Sequence, residues 1–201
     1  MKALVYDIEI GRAILGRNDA TEPGIEYCAG WHDYANMGIS VIGAYDYAED
    51  RARVFCRDNA LEFKRVIERS DILVGFNNLA FDNKVIEACW GPDLQLPEGW
   101  QAKCYDLLVE IWGAAGLPPQ FHPRTHGGYG LDAMAMENFQ THKTGNGALA
   151  PAMWQRGQLG EVIDYCLNDI RLTKQLFDKV LKDGTLISPR DGSTLSVMGP
   201  R

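Results

Sequence analysis

The chain has 201 residues, 46% of them hydrophobic, and carries a net charge of -7. That is enough apolar material for one full core with a lobe or long loop attached, and too little length for two large independent domains. A pI near 5.1 excludes a generally basic surface that wraps nucleic acid, but not a local groove in which bound cations outweigh the global balance.

Residues 2–6 of MKALVYDIEI read as an apolar strand that ends at Asp7 and Glu9. This apolar run is too short for a secretory signal and nothing downstream approaches a membrane span, so a cytoplasmic protein is expected. Residues 27–31 and 39–45 are further strand candidates, and residues 53–56 a short fourth. Asp58 then opens an amphipathic helix with Leu61, Phe63, Val66 and Ile67 on its apolar side. Residues 72–76 form a compact apolar strand, which leaves through NNLAFD into another helix. The alternation predicts an α/β sheet domain that begins with antiparallel strands.

After a proline- and glycine-punctuated connection over 91–100, residues 103–105 read as a short edge strand and 107–112 as a helix. Asp106 either caps that helix or supports a site. Residues 116–130 are rich in proline, histidine and glycine and predict an exposed loop. A short helix over 131–139, a polar break over 141–150 and a long helix over 159–181 follow. The end, TLISPRDGSTLSV, predicts a hairpin turning at Asp191 and Gly192. The expected organisation is a single domain over 1–185, with a loop-rich insertion around 113–158, and a C-terminal hairpin or tail over 186–201. The five cysteines form no CxxC pair and read as reduced thiols. His122, His126 and His142 lie close together, but no cysteine beside them completes a zinc motif. Trp112 and Trp154 read as packing anchors or base platforms, with packing the safer choice.

Residues two apart on a strand face the same side, so Asp7 and Glu9 can aim both carboxylates into one cleft. Taken alone, the pair reads more readily as a solvated strand end. Asp82 stands at a helix start, where a carboxylate is an ordinary cap or first-turn charge. Its context adds Asn77 and Asn78, which either pin the turn or contact a sugar or base. Phe76 belongs to the core, and Phe81 to the core or to a site wall. Tyr165 and Asp169 are four apart on one helix face. They are either a rim tyrosine and a surface acid, or a cation ligand beside a hydroxyl that orients water. A tyrosine pKa near 10 favours orientation over proton abstraction. Arg124, Lys143 and Arg156 are candidate phosphate contacts. Four converging acids would repel one another without cations, and a nuclease that binds two divalent metals gives their convergence a reason.

Together these elements resemble the DEDD 3'-to-5' exonuclease family, in its tyrosine-containing branch, and the proofreading domains of family B DNA polymerases. The resemblance lies in Asp7-x-Glu9, in Asn77-x-x-x-Phe81-Asp82 and in Tyr165-x-x-x-Asp169. It implies an RNase H-like mixed central β-sheet with flanking helices and two Mg²⁺ or Mn²⁺ ions. In it Asp7 would bridge the metals, Glu9 and Asp169 complete the water-activating side, and Asp82 help the second metal through water. Glu9 would also contact the terminal 3' hydroxyl. The implied reaction is stepwise hydrolysis from the free 3' end of single-stranded or frayed DNA. Phosphate chemistry does not distinguish the sugar, so an exoribonuclease stays open, as does a non-catalytic nucleic-acid-binding or assembly protein. The chain has no room for a polymerase domain, which favours a stand-alone nuclease or one given processivity by a replication or repair partner.

Overall fold

The computed structural model describes residues 2–16 and 20–200. In chain order the strands are β1 (Ala3–Ile10), β2 (Ala13–Ile14), β3 (Tyr27–Cys28), β4 (Ile39–Asp46), β5 (Arg51–Phe55), β6 (Ile72–Gly75), β7 (Cys104–Asp106), β8 (Thr185–Ile187) and β9 (Thr194–Ser196). The helices are α1 (Tyr34–Met37), α2 (Ala60–Arg69), α3 (Asp82–Cys89), α4 (Gly91–Leu94), α5 (Leu107–Ala114), α6 (Leu131–Phe139), α7 (Ala150–Gln155) and α8 (Leu159–Asp183). No helix among the described residues is long and apolar enough to cross a membrane.

Five strands make a mixed sheet in the order β5-β4-β1-β6-β7. The β4–β5 hairpin and the β1–β4 pair are antiparallel, while β6 and β7 join parallel to β1 through helical crossovers. The architecture is thus the mixed sheet with flanking helices that the sequence predicts. β1 is apolar on both faces because both are covered. Leu4, Tyr6 and Ile8 pack with Ile42, Ala44 and Phe55 against α2 and α3. Ala3 and Val5 face the opposite layer, built from α5 and the C-terminal half of α8. Asp7 and Glu9 continue this second parity.

Several boundaries differ from the sequence expectation, each for a physical reason. β1 does not end before its acids; it runs to Ile10, because β4 keeps pairing with it through Glu9 and Val41. The register then shifts between Glu9 and Ile10, where the Ser40 hydroxyl donates to the Glu9 carbonyl at 2.9 Å. Such bulges re-aim side chains beside active sites. The strand expected over 27–31 is only β3, and it pairs with β2 outside the central sheet. On α2 the buried stripe is Ala60, Phe63, Val66 and Ile67, whereas Leu61 is 61% exposed. One residue corresponds to a 100° turn, enough to carry Leu61 off that face. Helix α7 lies inside the stretch expected to be loop; its Pro151 sits in the first turn, where no intrahelical N–H is needed. The terminal hairpin forms as expected, with Gly192 at φ 69°, and buries Leu186 and Leu195 in the α8 layer.

Candidate metal-binding active site

The site forms where β1 outruns its parallel neighbour. The β1–β6 pairing ends at Val5 and Val74, so the backbone of β1 beyond that point has an unpaired edge. Asp82, the first residue of α3, fills it: its Oδ1 accepts from the Ile8 amide at 3.2 Å. The carboxylate is thereby fixed between Asp7 and Glu9 along the chain. Its charge bears directly on the neighbouring Asp7 carboxyl.

A second carboxylate holds the loop that delivers Asp82. Asp106 Oδ1 accepts from the amides of Asn77 at 2.9 Å and Leu108 at 3.1 Å, and Oδ2 from that of Leu79 at 3.1 Å. It is therefore both the cap of α5 and the anchor of the 77–81 turn, in which Asn77 adopts φ 71°. Asn78 is fully buried behind the turn, and its Nδ2 donates to Tyr6 Oη at 2.9 Å. That corrects the expectation of a sugar or base contact, because a side chain engaged inside the core is closed to substrate. The Tyr6 hydroxyl in turn donates to Asn83, so β1 and α3 are tied by side chains as well. A Cβ at Gly75 would lie 2.5 Å from Asn78, which explains glycine at the end of β6.

The remaining acid arrives on α8. Gly43 stands opposite Asp7 in the β1–β4 register, and a Cβ there would come within 2.8 Å of Cys166 Sγ and 3.2 Å of Ile170. Its missing side chain lets α8 lie close to the sheet, with Tyr165 and Asp169 buried at the same end as Asp7 and Glu9. A cavity of about 330 Å³ is lined by Asp7, Glu9, Asp169, Tyr165, Phe81 and Lys143, among others. Lys143 is the one basic side chain on that wall among the described residues. Its ammonium pairs with Asp169 Oδ2 and lies 5.2 Å from the Tyr165 ring centroid.

The electrostatics follow from gathering three buried acids, Glu9, Asp82 and Asp169, and the half-buried Asp7 at one end of the sheet, with Lys143 as the basic side chain beside Asp169. Burial, then the charges of Asp82, Glu9 and Asp169, push the Asp7 carboxyl well above the ordinary carboxylate range. Burial and Asp169 raise Glu9 to about 8, against the opposing pull of Lys143. Asp82 is pushed up to about 7 by burial, with the Ile8 amide among the groups that moderate the shift. Burial also raises Asp169, with Lys143 working against it. Burial disfavours the Lys143 charge, yet its Asp169 partner raises the lysine overall. Tyr165 is raised to about 12, chiefly by burial, so its hydroxyl keeps its proton at neutral pH.

These residues fit a hard divalent cation. The donor atoms are carboxylate oxygens, their charges exceed the local countercharge, and Asp169 Oδ1 is buried with no hydrogen-bond partner. Asp7, Glu9 and Cys166 place ligand atoms within 4.8 Å of one another. The Cys166 thiol is fully buried, however, and burial with the nearby Asp7 and Glu9 charges holds its pKa well above the usual value. It stays neutral and donates to the Asp7 carbonyl at 3.6 Å, as a packing group between strand and helix.

Other predicted contacts lie elsewhere. Arg124 is exposed on the 116–130 loop, away from the cavity lining. Arg156 pairs with Glu22, which engages its charge outside the cavity. Phe76 packs in the core, and Phe81 is both packed against the core and part of the cavity wall. Trp112 is buried as expected. His126, on a segment expected to be exposed, is buried with Nε2 2.9 Å from the Pro118 carbonyl, pinning its loop. Sequence reading missed the dual role of Asp106; a lone aspartate before a helix signals a cap, but not the second loop that it reaches.

A family model described as RNase_H superfamily matches residues 23–181, a span that begins after the first acidic pair. No curated protein matches the chain. Among solved structures, the family B DNA polymerase from the hyperthermophilic archaeon Pyrobaculum calidifontis is similar, with a TM-score of 0.58 and 17% sequence identity. The match covers 90% of this chain and 24% of the polymerase, and at that identity it speaks for the fold. With most of its length matched by the family model and its mixed sheet in place, the chain belongs to the RNase_H superfamily.

Proposed function

We propose that the protein is a metal-dependent 3'-to-5' exonuclease that removes nucleotides from single-stranded or frayed DNA ends. One observation carries the reading: Asp7, Glu9, Tyr165 and Asp169, from β1 and α8, line one cavity together with Lys143, and Asp82 joins β1 from α3 through the Ile8 amide between the first two. The order and spacing of these residues support the 3' end and the tyrosine-containing branch. Likeness to a DNA polymerase supports DNA over RNA.

In this reading Asp7, Glu9 and Asp169 offer oxygens to two divalent cations, Mg²⁺ or Mn²⁺, while Asp82, pinned by the Ile8 amide, supports them from α3. Such cations supply Lewis-acid charge at a phosphodiester and lower the pKa of a water. Tyr165 keeps its proton and orients water by its hydroxyl. Lys143 balances the acids and faces an incoming phosphate. Phe81 forms the wall beside the terminal base, and the Asn77 turn holds that wall in place through Asp106. The enzyme works in the cytoplasm, where its cysteines stay reduced, and a replication or repair partner supplies processivity.

The test incubates 5'-labelled single-stranded DNA and RNA with Mg²⁺, Mn²⁺ or EDTA, with a blocked 3' end as control. A ladder of shortening products is expected, abolished by EDTA and by Asp7→Ala. Tyr165→Phe should fold normally and turn over more slowly. Binding without cleavage in every metal would overturn the nuclease reading in favour of a non-catalytic binding protein. RNA cleaved in preference to DNA would reassign the substrate.

A further inference from the structure

Two rings that take no part in the acidic cluster line the same cavity, Trp31 and Phe81. Trp31 is 66% exposed, whereas Trp90, Trp100 and Trp112 are all below a tenth. One exposed aromatic residue alone needs no explanation. Trp31, however, heads a continuous ridge. Its ring meets Phe81 edge-on at 6.1 Å between centroids, Phe81 meets Tyr34 at 6.4 Å, and Tyr34 meets His32 at 6.1 Å. The Lys84 ammonium lies 5.6 Å from the Tyr34 centroid and adds positive charge beside the rings. The ridge is also coupled to the acids, because Phe81 immediately precedes Asp82.

Aromatic faces beside a cation suit one kind of occupant. Unpaired nucleobases stack on aromatic side chains whatever their sequence, while a lysine meets the backbone. Bases inside a duplex already have both faces covered by their neighbours. We propose that Trp31, at the head of the Trp31–Phe81–Tyr34 ridge, stacks on a nucleobase of an unpaired strand and so makes the site selective for single-stranded ends. This rests on the exonuclease reading and names the element that chooses the strand.

Fluorescence anisotropy of a short 5'-fluorescein oligothymidylate tests it, with Ca²⁺ as the oxygen-seeking cation and the strand checked for integrity afterwards. Trp31→Ala should weaken binding about 10- to 100-fold, and Trp31→Phe should retain most of the affinity. On an oligonucleotide with abasic 3'-terminal positions, and on a blunt duplex, wild type and Trp31→Ala should bind alike. Circular dichroism melting should be the same for all three proteins, since Trp31 is exposed. Unchanged affinity of Trp31→Ala for the oligothymidylate overturns the proposal, as does an equal loss on the abasic strand or the duplex. If wild type shortens DNA from its 3' end and Trp31→Ala binds normally, the ridge fails and the nuclease stands. If Trp31→Ala loses base-dependent binding but wild type cleaves nothing in Mg²⁺ or Mn²⁺, the ridge stands and the nuclease fails.

Discussion

Asp106 shows how much a single buried side chain can organise. Its two oxygens take amides from the turn before Asp82 and from the first turn of α5. Removing them leaves three buried or half-buried donors without an acceptor, each bonded until then to a charged group. Asp106→Ala should therefore destabilise the fold by about 2–4 kcal/mol in urea unfolding, and release Asp82 from its place on β1. Asp106→Asn, which keeps one acceptor oxygen, should lose less. If the two variants unfold alike, the carboxylate is not the anchor. The residue reading of the sequence reached the helix cap here, since Asp before LLVEIW is a local signal. It could not reach the second loop, which is 27 and 29 residues away in the chain.

At the scale of elements, the site depends on how closely α8 approaches the sheet. Gly43 permits that approach opposite Asp7. Gly43→Ala should cost about 1–3 kcal/mol, because Cys166 and Ile170 are buried and the added methyl has no room. Activity should fall with it, since α8 carries both Tyr165 and Asp169. Adding Cys166→Ala should recover part of the stability by removing the 2.8 Å conflict, a coupling that a double-mutant cycle measures. Strictly additive losses would show that the two side chains do not meet. The α8 helix itself was legible in the sequence, because a long apolar stripe at helical spacing is a strong signal. Its glycine partner was not, because a glycine inside a strand marks a close approach without saying to what.

For the whole molecule, the acidic cluster predicts how stability depends on pH and cations. In the folded protein Glu9 titrates near 8 and Asp82 near 7, whereas carboxylates of an unfolded chain titrate near pH 4. The metal-free fold thus holds protons that the unfolded chain has released. This contribution to stability is fully present below about pH 4 and is lost as the pH rises through 7 and 8. Thermal melts of the metal-free protein should show a falling midpoint from pH 5.5 to 8.5, with Mg²⁺ or Mn²⁺ restoring it most at the upper end. A midpoint indifferent to both pH and divalent cation would mean that the acids do not share one site. Asp169→Asn should flatten the pH dependence while abolishing turnover, trading charge repulsion against function.

By itself the sequence determined the fold class, the run of most strands and helices, and the residue types proposed to carry the chemistry. These are set by local periodicity, by turn residues and by three short spacings, all readable along the chain. Only the tertiary structure decided how those residues meet: β1 outrunning β6 so that Asp82 can take the Ile8 amide, Gly43 admitting α8, and Lys143 seated on Asp169. It also removed Asn78 to the core and brought forward Trp31, which no spacing singled out. The physical reason is the same in each case. Strand pairing, close packing and the sharing of charge are set by neighbours in space, and those neighbours lie tens to more than a hundred residues apart in the chain.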